Sequence, residues 1–120
     1  MEGHKRLNLG KKGEEKAEKF LKRKGYRILE RNFRIKGGEI DIVAEKGGEI
    51  VFVEVRTRSS DDFMSPVESL TPAKREKLRR AAEVFLISRG LELNPCRFDF
   101  VSIVKDGSRY KIEHLENVYI

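Results

Sequence analysis

The chain has 120 residues, 26 Lys and Arg against 20 Asp and Glu, a formal net charge of +6, and one cysteine. That length holds one hydrophobic core and not two, and the lone Cys96 excludes both a disulfide framework and a thiolate metal cluster. Apolar runs such as IVFV and VFLI are too short to cross a bilayer, and MEGHKRLNLGKKGEE has no apolar stretch of signal-peptide type, so the expectation is one cytoplasmic domain over residues 1–120, with 1–8 flexible, no membrane partner, and a positive excess that favours a polyanion.

The first element is a helix from about Leu9 to Lys24, with Gly13, Ala17, Phe20 and Leu21 on one face and Gly25 placed to end it. Glu14 lies at the edge of that stripe, whereas Glu15, Lys16, Lys19, Lys22 and Arg23 point away. YRILERNF then reads as a strand and Gly37-Gly38 as a turn. Two further strands, about Glu39 to Ala44 and Ile50 to Arg56, flank Gly47-Gly48. A polar loop, TRSSDDFMSPVESL, has Pro66 near its middle. Thr71-Pro72 reads as an N-cap followed by proline at the first helical position, and the helix runs to Arg89 with Gly90 as its stop. Its buried stripe is Leu78, Ala81, Ala82, Phe85 and Leu86, with Lys74 at the start of the same line. The strands CRFDFVSIV and YKIEHLENV, joined at Asp106-Gly107, close the chain. The order α-β-β-β-α-β-β predicts an α/β fold, a mixed β-sheet flanked by helices. Cys96 is expected as a small core residue, and neither His4 nor His114 has a visible partner.

The stretch GEIDIVAEKGGEIVFVEVRTR poses the chemical question, because each strand carries an acid inside an apolar run. A two-residue Gly-Gly loop makes paired residue numbers sum to 95, setting Asp41 against Glu54 and Glu39 against Arg56. One face is then Ile40, Ile42, Ala44, Val51, Val53 and Val55; the other is Glu39, Asp41, Val43, Phe52, Glu54 and Arg56. Two ionised carboxylates so opposed need a cation between them, or one must take up a proton. Arg56, a lysine from elsewhere, or a divalent metal would satisfy them. Oxygen ligands without His or Cys suit Mg²⁺ or Mn²⁺. A structural ion-pair cluster is the alternative. Glu14 either reaches the same site or is a solvated flank residue, and Lys74 either faces it or lays its stem on the core.

Several separated motifs carry a resemblance: G-x-x-G-E-x-x-A (Gly10 to Ala17), G-Y-x-I-L-x-R-N-x-R (Gly25 to Arg34), G-E-I-D-I-V-A (Gly38 to Ala44), V-F-V-E-V-R-x-R (Val51 to Arg58) and R-F-D-x-V (Arg97 to Val101). In this order, over nearly the whole chain, they resemble the YraN-like family and, more distantly, the PD-(D/E)xK nucleases with the restriction-endonuclease-like fold, including archaeal Holliday-junction resolvases. The resemblance implies a metal-dependent DNA endonuclease, structure-specific for branched or junction DNA, with Asp41 and Glu54 as metal-binding acids and Glu14 as the helix-borne acid. Glu39 stands in place of the superfamily's proline, Arg56 in place of its lysine, and Met64 where the family usually has glycine.

Arginine is too basic to act as a general base but offers a fixed fork of donors for phosphate. Arg56 is therefore expected to clamp the scissile phosphate or orient the attacking water, with Glu39 holding its guanidinium. Mg²⁺ or Mn²⁺ would sit on Asp41, Glu54 and the Val55 carbonyl. Arg58, Lys74, Arg75, Lys77, Arg79 and Arg80 are the expected contacts to nucleic acid, which position a backbone without reading sequence. Asp99 is either an acid supporting the site or a buried, hydrogen-bonded structural residue. Junction resolution would require a homodimer. A non-catalytic nucleic-acid-binding protein retaining the nuclease fold is the competing reading, with Arg56 as its support.

Overall fold

Glycines and apolar alternation set the boundaries of the elements. The computed structural model describes residues 2–60 and 69–120, with 2–9 described by backbone alone. Along the chain come α1 (Glu2–Arg23), β1 (Arg27–Ile35), β2 (Gly38–Lys46), β3 (Glu49–Ser59), α2 (Pro72–Ser88), β4 (Cys96–Asp106) and β5 (Arg109–Leu115). The strands form one sheet in the order β1-β2-β3-β4-β5. Pairing is antiparallel except between β3 and β4, which run parallel on either side of the crossover through α2. This is the expected α-β-β-β-α-β-β mixed sheet with its two helices. Pro66 and Met64 of the polar loop lie outside the described residues.

Helix α1 begins at Glu2, earlier than its apolar stripe suggested. It ends where expected: Gly25 has φ +90°, its N–H bonds the Lys22 carbonyl at 3.0 Å, and the Tyr26 N–H bonds the Leu21 carbonyl at 3.0 Å, a Schellman closure. Gly47 and Gly48 have φ of +59° and +84°, the left-handed pair that a tight hairpin turn needs. Helix α2 starts at Thr71, whose side chain accepts the Lys74 N–H at 3.3 Å, with proline at the first turn.

The sheet is buried on both faces. Toward α1 lie Ala17, Leu21, Tyr26, Ile42, Ala44, Val51, Val53, Val101 and Ile103; toward α2 lie Ile40, Val43, Ile50, Phe52, Leu70, Leu78, Ala81, Ala82, Phe85 and Phe100. The hairpin face expected to display Val43 and Phe52 beside the acids is thus a second core. Strict alternation also fails, because Ile40 packs toward α2 while Ile42 packs toward α1. The strand turns over at Asp41, between them.

Smaller departures have local causes. Gly38 belongs to β2, leaving Lys36-Gly37 as the turn, and a Cβ on Gly38 would meet the Lys77 carbonyl at 2.7 Å. The last hairpin turns at Gly107-Ser108. Strand β5 stops at Leu115, because Asn117 at φ +54° redirects the chain so that the Val118 N–H bonds the Phe98 carbonyl at 2.8 Å. Cys96 is exposed rather than core, being the first residue of β4 at the end of the sheet.

Candidate functional site

The ladder between β2 and β3 keeps the expected register, Ala44 with Val51, Val43 with Phe52 and Ile42 with Val53, and ends at that last pair. Beyond it the strands part, and a side chain takes over the bonding: Asp41 Oδ2 accepts the Val55 N–H at 2.8 Å. The parting aims the Asp41 carboxyl at β3, close enough to that of Glu54 for each to shift the other's titration. Ile40, Phe52, Leu70 and Leu78 line an apolar pocket beside Glu54. Burial, then the Asp41 charge and side chain, push the Glu54 carboxyl up to about 9. Burial also raises Asp41, against the Val55 N–H and the nearby Glu54 side chain. Burial and mutual repulsion thus favour one retained proton on the pair near neutrality.

Glu14 of α1 completes an acidic group. Burial first, and then the neighbouring Asp41 charge, raise its pKa, while Arg31 and the nearby Asn32 side chain act the other way. One of its oxygens, Oε1, is buried without a hydrogen-bond partner. Asn32 stands in β1 at φ +53°, a conformation that Asn tolerates better than most residues. Next to it, Arg31 ties Glu18 of α1 to β1 at 3.1 Å. The helix can approach because Gly13 has no side chain: a Cβ there would fall 1.9 Å from Thr57 Oγ1 on β3. Asn32, Arg31 and Gly13 were not anticipated as site residues, although the R-N-x-R run and the helical glycine were visible signals.

Cations ring the acids. Arg56 is exposed and lowers the pKa values of both Asp41 and Glu54; Lys74, at the start of α2, does so for Glu54. The expected clamp of Arg56 by Glu39 is not formed. With the ladder ended, Glu39 pairs instead with Arg34 of β1 at 3.2 Å. Lys77 lines an open groove with Arg34, Gly38 and Glu39. The rest of the basic set from α2 is already engaged: Arg75 Nε donates to the Leu70 carbonyl at 2.9 Å, Arg79 to Glu76 at 2.8 Å and to the Ile120 carbonyl at 2.5 Å, and Arg80 pairs with Glu76 at 3.5 Å. Arg58 is half-buried near the end of β3.

Asp99 has a different environment. It is buried and accepts from Arg97 Nε at 3.0 Å and from the Asn117 N–H at 2.9 Å, and its Oδ2 lies 2.7 Å from His114 Nε2. Arg97 continues to Glu49 at 2.6 Å and to the Tyr26 hydroxyl at 2.7 Å. His114, without a visible partner in the sequence, is the centre of this network; its Nδ1 is 2.8 Å from Lys24 Nζ. Of the two readings of Asp99, this geometry matches the structural one.

Among the described residues no three His, Cys, Asp or Glu side chains gather closely enough to hold a metal ion. Asp41 and Glu54 therefore form a two-carboxylate set with Glu14 on its flank. An all-oxygen pair of buried carboxyls, beside an unpartnered carboxyl oxygen, fits a hard divalent cation that takes its remaining ligands from water and substrate.

Comparison with known proteins is consistent with this motif order. The family model described as "Uncharacterised protein family UPF0102" matches residues 13–103. A UPF0102 protein of Moorella thermoacetica is 54% identical over 101 residues, covering 84% of this chain and 84% of that protein. One from Hahella chejuensis is 48% identical over 97 residues, covering 81% and 78%. One from Carboxydothermus hydrogenoformans is 43% identical over 113 residues, covering 94% and 96%.

Proposed function

The chain belongs to the uncharacterised protein family UPF0102, and we propose that it is a metal-dependent DNA endonuclease acting on branched or junction DNA. The observation that carries this reading is the Asp41–Glu54 pair: two buried carboxyls set side by side just past the end of the β2–β3 ladder, each raising the other's charging cost. A structural ion-pair cluster would place a cation between them. Here the nearest cations stand around the pair, and neither carboxyl forms an ion pair with them among the described residues.

Asp41, Glu54 and the Val55 carbonyl would hold Mg²⁺ or Mn²⁺. When bound, such an ion supplies a lowered water pKa and charge neutralisation at phosphate. The chain's own residues do the rest. Arg56 and Lys74 offer donors to a phosphate at the opening, and electrostatic stabilisation of its developing charge is the larger part of phosphoryl-transfer catalysis. Arg56 orients and clamps rather than accepting a proton. Glu14 presents its unpartnered Oε1 on the near flank, as a water-orienting acceptor. Lys77 and Arg58 extend the contact along the backbone of the nucleic acid.

Incubation with branched, single-stranded and linear duplex DNA, in Mg²⁺ or Mn²⁺ against EDTA, tests the activity. Cleavage that is metal-dependent and abolished in Asp41→Ala is expected. No cleavage of any substrate above that control sinks the proposal. Arg56 in the lysine position favours a second reading, a nucleic-acid-binding protein without catalysis. That reading requires salt-sensitive binding unchanged by EDTA and no cleavage by Arg56→Lys. Calorimetric Mn²⁺ titration of the wild type against Glu54→Gln asks the prior question, whether the metal binds.

A further inference from the structure

Helix α1 divides most of its charge across its buried stripe, with the exposed Glu15 the one acid at helical spacing with Lys12 and Lys19. On the flank toward β1 and β2 stand Glu14 and Glu18, the latter bonded to Arg31 at 3.1 Å. On the flank toward β5, at helical spacing, stand Lys12, Lys16, Lys19 and Arg23. That orientation is fixed by contacts: Lys16 Nζ lies 4.1 Å above the Tyr110 ring of β5, and the Phe20 ring meets that of His114 at 6.0 Å. Lys105, opposite Tyr110 on β4, brings its ammonium to 5.9 Å from the same ring.

None of Lys12, Lys16, Lys19, Arg23 or Lys105 has a carboxylate within ion-pair reach among the described residues. The contrast with α2 is sharp, since Arg79 and Arg80 there are already paired with Glu76. Two ammonium groups seated on one aromatic ring are positioned by cation–π attraction without being neutralised. A surface of this kind offers fixed positive charge at several points in a row, which matches a repeating phosphate backbone.

We propose that the basic flank of α1, with Lys105 and the Tyr110 seat, binds the backbone of the nucleic-acid substrate. This rests on the endonuclease reading for the chemical class of its partner and adds the surface that holds it. The geometry links the two, because Glu14 sits on the opposite flank of the same helical turn as Lys12 and Lys16. A backbone held there lies about one helix diameter, roughly 10 Å, from the acids.

The test is fluorescence anisotropy of labelled duplex and four-way-junction DNA over a salt series, in EDTA so that cleavage plays no part. Lys16→Ala/Lys105→Ala is expected to weaken binding about tenfold and to flatten the dependence of log affinity on log salt by about 2, with the wild-type melting curve retained. If that variant does not fold, Lys12→Ala/Lys19→Ala carries the same expectation. Tyr110→Phe, which keeps the ring, binds as wild type. An unaltered salt slope in the folded double variant overturns the proposal, as does wild-type binding to anionic phosphatidylserine vesicles but not to DNA. Because EDTA is present throughout, a missing nuclease activity leaves this result readable: a lost slope with no cleavage supports the surface and rejects only the endonuclease.

Discussion

Glu54 shows how one side chain acquires an unusual chemistry from its neighbours. Its carboxyl is raised from 4.5 to about 9 by burial beside Phe52 and Leu78 and by the Asp41 charge. Between those two pH values the folded protein holds a proton that the unfolded chain has lost, so stability falls as pH rises across that window. Glu54→Gln retains a hydrogen-bond donor toward Asp41 without the ionisation. It is expected to raise the melting temperature at pH 8 and to flatten its decline between pH 6 and 9; a curve parallel to wild type would contradict the retained proton. Metal binding must displace that proton, so the Mn²⁺ affinity of the wild type should rise over the same range. Asn32 can be separated into backbone and side chain. Asn32→Gly accepts φ +53° and loses only the amide beside Glu14, whereas Asn32→Ala also pays about 1 kcal/mol for the left-handed backbone. Melting curves should rank Gly above Ala, and calorimetry should show the same loss of Mn²⁺ affinity in both.

At the scale of elements, the site depends on how closely α1 lies on β3. Gly13→Ala would gain about 1 kcal/mol of helix propensity but drive a methyl group into Thr57 Oγ1. Thr57 is β-branched and held in the sheet, so the helix must shift, at a cost of about 1–3 kcal/mol. Reduced thermal stability is expected, together with DNA cleavage impaired beyond what the stability loss explains; Gly13→Ala/Thr57→Ala should restore both. The hairpin is the element whose sequence was most legible. Gly47-Gly48 specified a two-residue turn, the turn specified the register, and the register brought Asp41 near Glu54. The end of the ladder was not legible. Local alternation continues through Asp41 on paper, yet Ile40 is drawn to Leu78 and Phe85 under α2 while Ile42 goes to Leu21 under α1. Competition between two cores for adjacent isoleucines opens the strand, and so separates Glu39 from Arg56.

For the whole molecule, the network around Asp99 joins the end of α1, the start of β1, strands β3 to β5 and the C-terminal segment through Lys24, Tyr26, Glu49, Arg97, His114 and Asn117. Burial alone would raise the Asp99 carboxyl, but hydrogen bonds from His114, Arg97 and the Asn117 N–H hold it below its ordinary 3.8. The sign is opposite to that of Glu54: the stability it confers is present above that pH and is lost as pH falls through the folded value. Asp99→Ala leaves Arg97 half-buried without its main partner, and is expected to cost about 3–5 kcal/mol by denaturant titration. Surface binding of DNA should persist in the fraction that remains folded.

The sequence alone determined the elements, their order, the turn that fixes the central register, and the acids that meet across it. These follow from nearest-neighbour chemistry: glycine's freedom at positive φ, proline and threonine at a helix start, and the two-residue period of a strand. Only the tertiary structure decided which apolar face each isoleucine joined, where the ladder parted, that Glu39 turned to Arg34, that His114 found Asp99, and that Arg79 and Arg80 of α2 were taken by Glu76 while Lys12, Lys16, Lys19 and Arg23 of α1 stayed without a carboxylate partner among the described residues. Each of these depends on residues distant in sequence competing for the same space or the same charge, and no local pattern carries that information.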